Sequence, residues 1–190
     1  MNSTKLLAAT LLLAGLQIRA ATFVVTSTAD SGPGSLRQAI ADAEANEDFD
    51  EIHFNIPPGG VQVITPVSAY PAIQHPVWIK GETQPGYAEA GTPQIEIDGR
   101  LIVAYPRWGL CLQGGRSAIS ALALHSFPFV LGDLESGHQI FLKGGGTNLI
   151  YGCYAGLTAA GLRPATIRPA LSGIHVLDSA DNQIDRKSVV

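Results

Sequence analysis

Five histidines, at positions 53, 75, 125, 138 and 175, are the first residues to test for acid–base or metal chemistry. None stands in an H-x-x-x-H or other ligand pair, and the two cysteines, Cys111 and Cys153, do not add a finger-type ligand set. Asp133 and Glu135 are two residues apart, so in a strand both would face one side, as paired carboxylates in glycoside hydrolysis must. They sit in LGDLESG, however, which reads as a solvated turn. Asp178 and Asp181 flank a turn after HVL and suit Asx-type support of it. Gly144-Gly145-Gly146-Thr147-Asn148 has the glycines of a calcium-binding repeat and lacks its aspartate, and no EF-hand loop is present. Trp78, Trp108, Tyr70, Tyr87 and Tyr105 fit either a sugar-stacking strip or ordinary packing. G-x-S-x-G, Walker and dinucleotide fingerprints are absent. The reading therefore assigns no catalytic residue, no cofactor-binding residue and no metal ligand, and leaves open whether the chain is an enzyme.

The elements that would position these residues are short and strand-like. The chain has 190 residues, 46% of them hydrophobic and only 15% charged, with 21 glycines and 12 prolines. That excludes disorder and long exposed helices, and favours many short elements with sharp corners. A net charge of −4 argues against nucleic acid as a partner. TFVVTST (22–28) alternates as a strand, and Asp30-Ser31-Gly32-Pro33-Gly34 turns it. Ser35 and Gln38 form a capping box for a helix over 35–46, with Leu36, Ala39, Ile40 and Ala43 on one apolar stripe. Strands follow at EIHFNI (51–56), VQVITPV (61–67), VWIK (77–80) and QIEID (94–98), with no second amphipathic helix.

Three later stretches superimpose: 109–124, 139–155 and 173–184. Leu110, Ile140 and Ile174 coincide, as do Leu112, Leu142 and Val176, and, with one residue of slack, Ile119, Ile150 and Ile184. The period is 30 and then 34 residues, each unit reading strand, glycine or polar turn, strand. Such a pattern predicts a coiled β repeat that buries one row of each unit on its neighbour. In this register Lys143 points outward with Gln113 and Leu177 at the equivalent positions, so no carboxylate lies above or below it. Cys153 takes an inward slot and Cys111 an outward one beside Phe141 and His175, so the two are expected to remain unbridged although exported chains commonly pair their cysteines.

GSLRQAI (34–40), after TFVVTSTADSGP, resembles the CSLREAI-type N-terminal motif of bacterial secreted right-handed parallel β-helix proteins, with Gly34 and Gln38 as departures. DEIHFNIP (50–57), PAIQHPVWIKGETQPGY (71–87) and the strand ending in Ile97-Asp98-Gly99 are similar to that family too, so the resemblance covers about 22–184. It implies an exported or surface-attached protein and carries no agreed catalytic set. The expected fold is all-β: a right-handed parallel β-helix (solenoid) with a short N-terminal capping α-helix, in which Ser35, Leu36, Gln38 and Ile40 are structural residues. The expected organisation is a signal peptide at 1–20, the cap and first coils at 21–100, and further coils at 101–190 of an incomplete chain, since DRKSVV breaks the repeat.

Lys5 and the apolar run Leu6–Leu16 read as a secretory signal peptide cleaved after Ala20; the run is too short to span a membrane, and no later segment approaches that length. The protein is expected to be secreted or held at the cell surface, as a non-catalytic module that binds polysaccharide or surface proteins or spaces domains. The alternative is a polysaccharide lyase or hydrolase with its groove largely in further coils, which would need a carboxylate and a basic residue stacked on one outward face; the register read above shows no such stack. Mass spectrometry of the secreted protein should find Ala21 at the N-terminus, and recovery of secreted chains that still begin at Met1 would refute export by cleavage.

Overall fold

Residues 20–45, 47–165 and 170–185 are described by a computed structural model. All but the last residue of the signal-type segment, and the expected helix end at Asn46, lie outside the described residues. The chain opens with β1 (Thr22–Val25), turns, and enters α1 (Leu36–Ala43). Ser35 caps α1: its backbone is extended and its Oγ accepts the Gln38 N–H at 3.1 Å. The box is half formed, because the Gln38 side chain donates to Asp42 Oδ1 at 2.7 Å instead of reaching back. Leu36, Ala39, Ile40 and Ala43 are buried, and the helix packs on β1 and on β2 (Asp50–Phe54).

The remaining strands are β3 (Gln62–Ile64), β4 (Val77–Lys80), β5 (Ile95–Asp98), β6 (Leu110–Leu112), β7 (Ala118–Ser120), β8 (Leu122–His125), β9 (His138–Lys143), β10 (Leu149–Tyr151), β11 (Tyr154–Ala155), β12 (Ser172–Leu177) and β13 (Gln183–Ile184). They form three sheets in which every strand pair is parallel: β1-β2-β4-β7-β10-β13, β3-β5-β8-β11 and β6-β9-β12. From β2 onward consecutive strands go to different sheets, and each sheet is rejoined roughly 30–40 residues later, as parallel pairing requires a long crossover.

The expected all-β, right-handed parallel β-helix is corrected by this arrangement. The sheets are separate and unequal, with six, four and three strands, and they do not close into a solenoid. Two α-helices are present among the described residues, the second being α2 (Tyr87–Ala90), a single turn that buries none of its residues. Proline gives a physical reason for the missing strands. Between β3 and β4 the chain carries Pro66, Pro71 and Pro76 and contributes only the isolated bridge Ile73↔Leu112 to the third sheet. Proline has no N–H to donate to a ladder, so such a segment cannot supply a full strand.

The pairing among the three similar stretches does follow the sequence alignment: Leu110↔Ile140↔Ile174, Leu112↔Leu142↔Val176 and Ile119↔Ile150↔Ile184. Ile52, Ile79, Ile119 and Ile150 form one inward ladder, each essentially inaccessible to water. Their turns pack backbone on backbone, which is why glycine stands there. A Cβ on Gly114 would lie 1.5 Å from Gln74 O, and one on Gly145 would lie 2.3 Å from the Gly114 carbonyl carbon. Neither cysteine is in a disulfide and both are buried, Cys153 in the main core and Cys111 outside it against Trp108 and Phe141.

Ile40→Asp would place an unpaired charge under α1. We expect a loss of roughly 3–5 kcal/mol, a fall of about 10 °C in Tm. A Tm within a degree of the parent would show that the helix does not cover the sheets.

Candidate functional site

Outward-facing residues of neighbouring strands become neighbours in space, so each sheet carries a surface built from residues remote in sequence. On the first sheet, β2, β4, β7 and β10 present Glu51 and His53, Trp78 and Lys80, Ala118 and Ser120, and Leu149 and Tyr151. Glu51 Oε1 accepts from Lys80 Nζ at 2.7 Å, and its Oε2 lies 2.7 Å from His53 Nε2. The Lys80 hydrogen bond holds the Glu51 carboxyl below its usual range; burial opposes it, and the His53 contact adds to the lowering. Lys80 Nζ also sits 4.0 Å from the Trp78 ring centre. Trp78 Nε1 donates to Ser120 Oγ at 3.0 Å, and Ser120 donates to Glu82 Oε2 at 2.6 Å. Tyr151 OH donates to Glu82 Oε1 at 3.3 Å and meets Trp78 edge-on, ring centres 6.3 Å apart. Beyond Tyr151 an open cleft of about 640 Å³ runs over Leu149, Gln183, Ile184 and Asp185.

The second sheet bears a different surface. Glu96 and Asp98 alternate outward along β5, and Asp98 is the register partner of His125 on β8. His125 Nε2 lies 3.0 Å from Glu96 Oε1, off the line of a well-formed hydrogen bond, and Nδ1 lies 3.7 Å from Asp98 Oδ1. Ser126 Oγ is 2.8 Å from His125 Nδ1. Arg100 Nε reaches Asp98 Oδ2 at 3.1 Å, and Ala159 N–H donates to Glu96 Oε2 at 2.7 Å. The His125 imidazole, and then the Ala159 N–H, hold Glu96 below its ordinary value, although burial acts the other way. Glu96, Asp98, Arg100, His125 and Ser126 line, with Thr158, a cleft of about 350 Å³.

The third sheet gathers the residues singled out in the sequence. Asp133 and Glu135 are in a loop, as expected, but Lys143 is not without a carboxylate: its Nζ bonds Glu135, which also accepts from Tyr105 OH at 2.7 Å. The carboxylate comes from the preceding loop, which a strand register could not show. Asp133 Oδ2 lies 3.5 Å from Arg107 Nη1. His138 stacks on His175 at 4.3 Å, faces Leu134 O through Nε2 at 2.9 Å, and is pushed below the ordinary histidine value chiefly by burial. Asp178 and Asp181 occupy left-handed corners, φ 50° and 55°.

The proposed aromatic strip is divided. Tyr70 and Trp108 are buried, with burial pushing the Tyr70 hydroxyl far above its usual range, while Trp78 is half-buried and Tyr105 exposed. Ser35, Leu36, Gln38 and Ile40 all lie at α1, away from these clefts. Burial pushes both Cys111 and Cys153 up to about 12, so neither is a thiolate nucleophile at neutral pH. Among the described residues, no group of three or more His, Cys, Asp or Glu is placed to hold a metal ion.

The Glu96–Asp98–His125 group was not foreseen from the sequence: Glu96 and Asp98 lie outside the three similar stretches, whose register showed no carboxylate stacked with a basic residue on one outward face. The usable signal was alternation: QIEID and LALH each put these residues on the face opposite their isoleucines and leucines. What was lacking was the pairing of β5 with β8. No protein-family model matches the chain, and no curated protein sequence matches it.

Because Glu96 is depressed in the folded protein, its contribution to stability is present above the unfolded value of about 4.5 and is lost as pH falls through the lower folded value. The Tm difference between parent and Glu96→Gln should therefore shrink as pH drops below about 4.5. Thermal melts from pH 7 to pH 3 that keep a constant difference would contradict the ion-paired carboxylate.

Proposed function

We propose that this chain is an exported or cell-surface β-sheet module that binds glycan through the outward face of its first sheet. The observation that carries the reading is the half-buried Trp78 and Tyr151 pair, edge-on to each other, joined to Glu82 by the Tyr151 hydroxyl and through Ser120, and flanked by Lys80, Glu51 and His53. Aromatic faces stack on the apolar faces of sugars, and surrounding charged groups hydrogen-bond their hydroxyls. Neighbouring rows of this face are about 4.8 Å apart, so an extended sugar chain laid across the strands meets a polar group at each step. Export is supported by the Lys5 and Leu6–Leu16 pattern and by the resemblance of GSLRQAI to secreted CSLREAI-type proteins. No helix among the described residues is long and apolar enough to cross a membrane.

A second reading, cleavage of a polysaccharide, is favoured by one observation: Glu96 and Asp98 share a cleft with His125. Its test is the release of new reducing ends from neutral and acidic polysaccharides.

For the first reading, the purified protein is run against insoluble chitin, cellulose, xylan and peptidoglycan in pull-down and affinity electrophoresis. Binding to at least one is expected, with Trp78→Ala and Tyr151→Phe separating stacking from hydroxyl contacts. Trp78→Ala should weaken binding about tenfold, equivalent to about 1.4 kcal/mol. Retention of full affinity by a folded Trp78→Ala protein would remove the first-sheet face as the binding surface, and failure of the parent to bind any of the four would overturn the glycan reading.

A further inference from the structure

We propose that the cleft over the second sheet is an acyl-ester hydrolase site in which Ser126 is the nucleophile, His125 the general base and Glu96 the group that positions His125. The proposal goes beyond glycan binding and does not depend on it, since it uses a different sheet and a different cleft.

The corner that follows β8 holds the hydroxyl. Ser126 is buried at φ 64°, a left-handed backbone that non-glycine residues adopt at a cost. There its Oγ lies 2.8 Å from Nδ1 of the preceding imidazole. The other ring nitrogen, Nε2, lies 3.0 Å from Glu96 Oε1. Of the two neutral tautomers, only the one protonated on Nε2 suits both neighbours: Nε2–H faces the carboxylate, and Nδ1 is left to accept the serine proton. A hydroxyl within reach of a base, and a base oriented by a carboxylate, are the parts an activated serine needs.

The imidazole is 3% exposed, and its Nε2 is buried without an aligned hydrogen bond. Such looseness is common in free enzymes and tightens when substrate binds. Glu96 is itself fixed, because its second oxygen accepts the Ala159 N–H. Asp98 stands 3.7 Å from Nδ1, so the imidazolium formed during reaction would lie between two carboxylates. Arg100, half-exposed and paired through Nε with Asp98, adds a positive charge to the lining of the cleft, where developing negative charge on a substrate would be favoured. A cleft of about 350 Å³ is at the small end of ligand sites and suits a short acyl group on an alcohol, such as an acetylated hydroxyl.

The reaction balances without a further reactant except water. Ser126 Oγ bonds to the ester carbonyl carbon while its proton passes to His125 Nδ1. The carbon–oxygen bond to the alcohol then breaks, and the leaving oxygen takes the proton from Nδ1. Water adds to the acyl carbon of the acyl-serine and gives a proton to Nδ1; the Oγ–carbon bond breaks, and Oγ recovers the proton. Ester and water become carboxylic acid and alcohol.

The test uses p-nitrophenyl acetate as substrate and a biotinylated fluorophosphonate as covalent probe, on the folded parent and variants. We expect saturable hydrolysis and a single adduct mapped by peptide mass spectrometry to Ser126. Both should fall about 100-fold or more in Ser126→Ala and in Ser126→Gly; glycine accepts the left-handed corner, so that variant keeps the fold. Glu96→Gln should lower kcat per active site, counted by exhaustive titration with the fluorophosphonate, while leaving KM unchanged; a smaller folded fraction would lower the number of sites and not the rate per site. A folded parent with no adduct, an adduct on another residue, or hydrolysis unchanged in both Ser126 variants would overturn the proposal.

Discussion

The stacking of inward aliphatic side chains in register, one strand above the next, is the constraint from which the rest of this structure follows. Ile52, Ile79, Ile119 and Ile150 occupy one such ladder, and Leu110, Ile140 and Ile174 another. Each contact buries a branched side chain against its like at the spacing of a parallel sheet, and at about 25 cal/mol per Å² the sum over three sheets is the main stabilising contribution. Because the side chains repeat at strand spacing, the turns between them must repeat as well. Gly114 and Gly145 stand where consecutive turns touch, and Asn148 at the next corner donates to Asn182 Oδ1 at 2.9 Å. A helix with one apolar stripe then covers the first strands, which would otherwise present β1 and its inward neighbours to water.

The same constraint arranges the outward surfaces. A strand that commits every second residue to a ladder also commits the intervening ones to a shared face. Residues some 25–40 positions apart are brought side by side, as Glu51 meets Lys80 and Asp98 meets His125. On the first sheet the neighbours form a chain of paired groups around Trp78, a surface already satisfied and open to a ligand that adds contacts. On the second sheet the neighbours crowd one imidazole, and the loop bearing Ala159 closes over it. One architecture thus carries a row of paired polar groups on one sheet and an enclosed imidazole between carboxylates on another.

Local pattern made several features legible. The α1 cap at Ser35, the four buried residues of its stripe, and the opposite orientations of Cys111 and Cys153 all follow from periods of 3.6 and 2 that a sequence displays directly. So does the pairing of the three glycine-punctuated stretches, because their similarity lets one be laid over another. Sheet sizes did not follow: the strand expected over 61–67 shrinks to Gln62–Ile64, and the proline-rich segment after it gives a single bridge.

What the sequence by itself determined is which face each strand residue takes, since alternation is a property of the chain. What only the tertiary structure decided is which strands lie side by side and which loops fold over them. Lys143 finds Glu135 from a loop, and Glu96 finds Ala159 63 residues away. Parallel pairing between remote strands leaves no local mark in the chain, because its register is selected by the packing of the whole core and not by any turn that joins the partners.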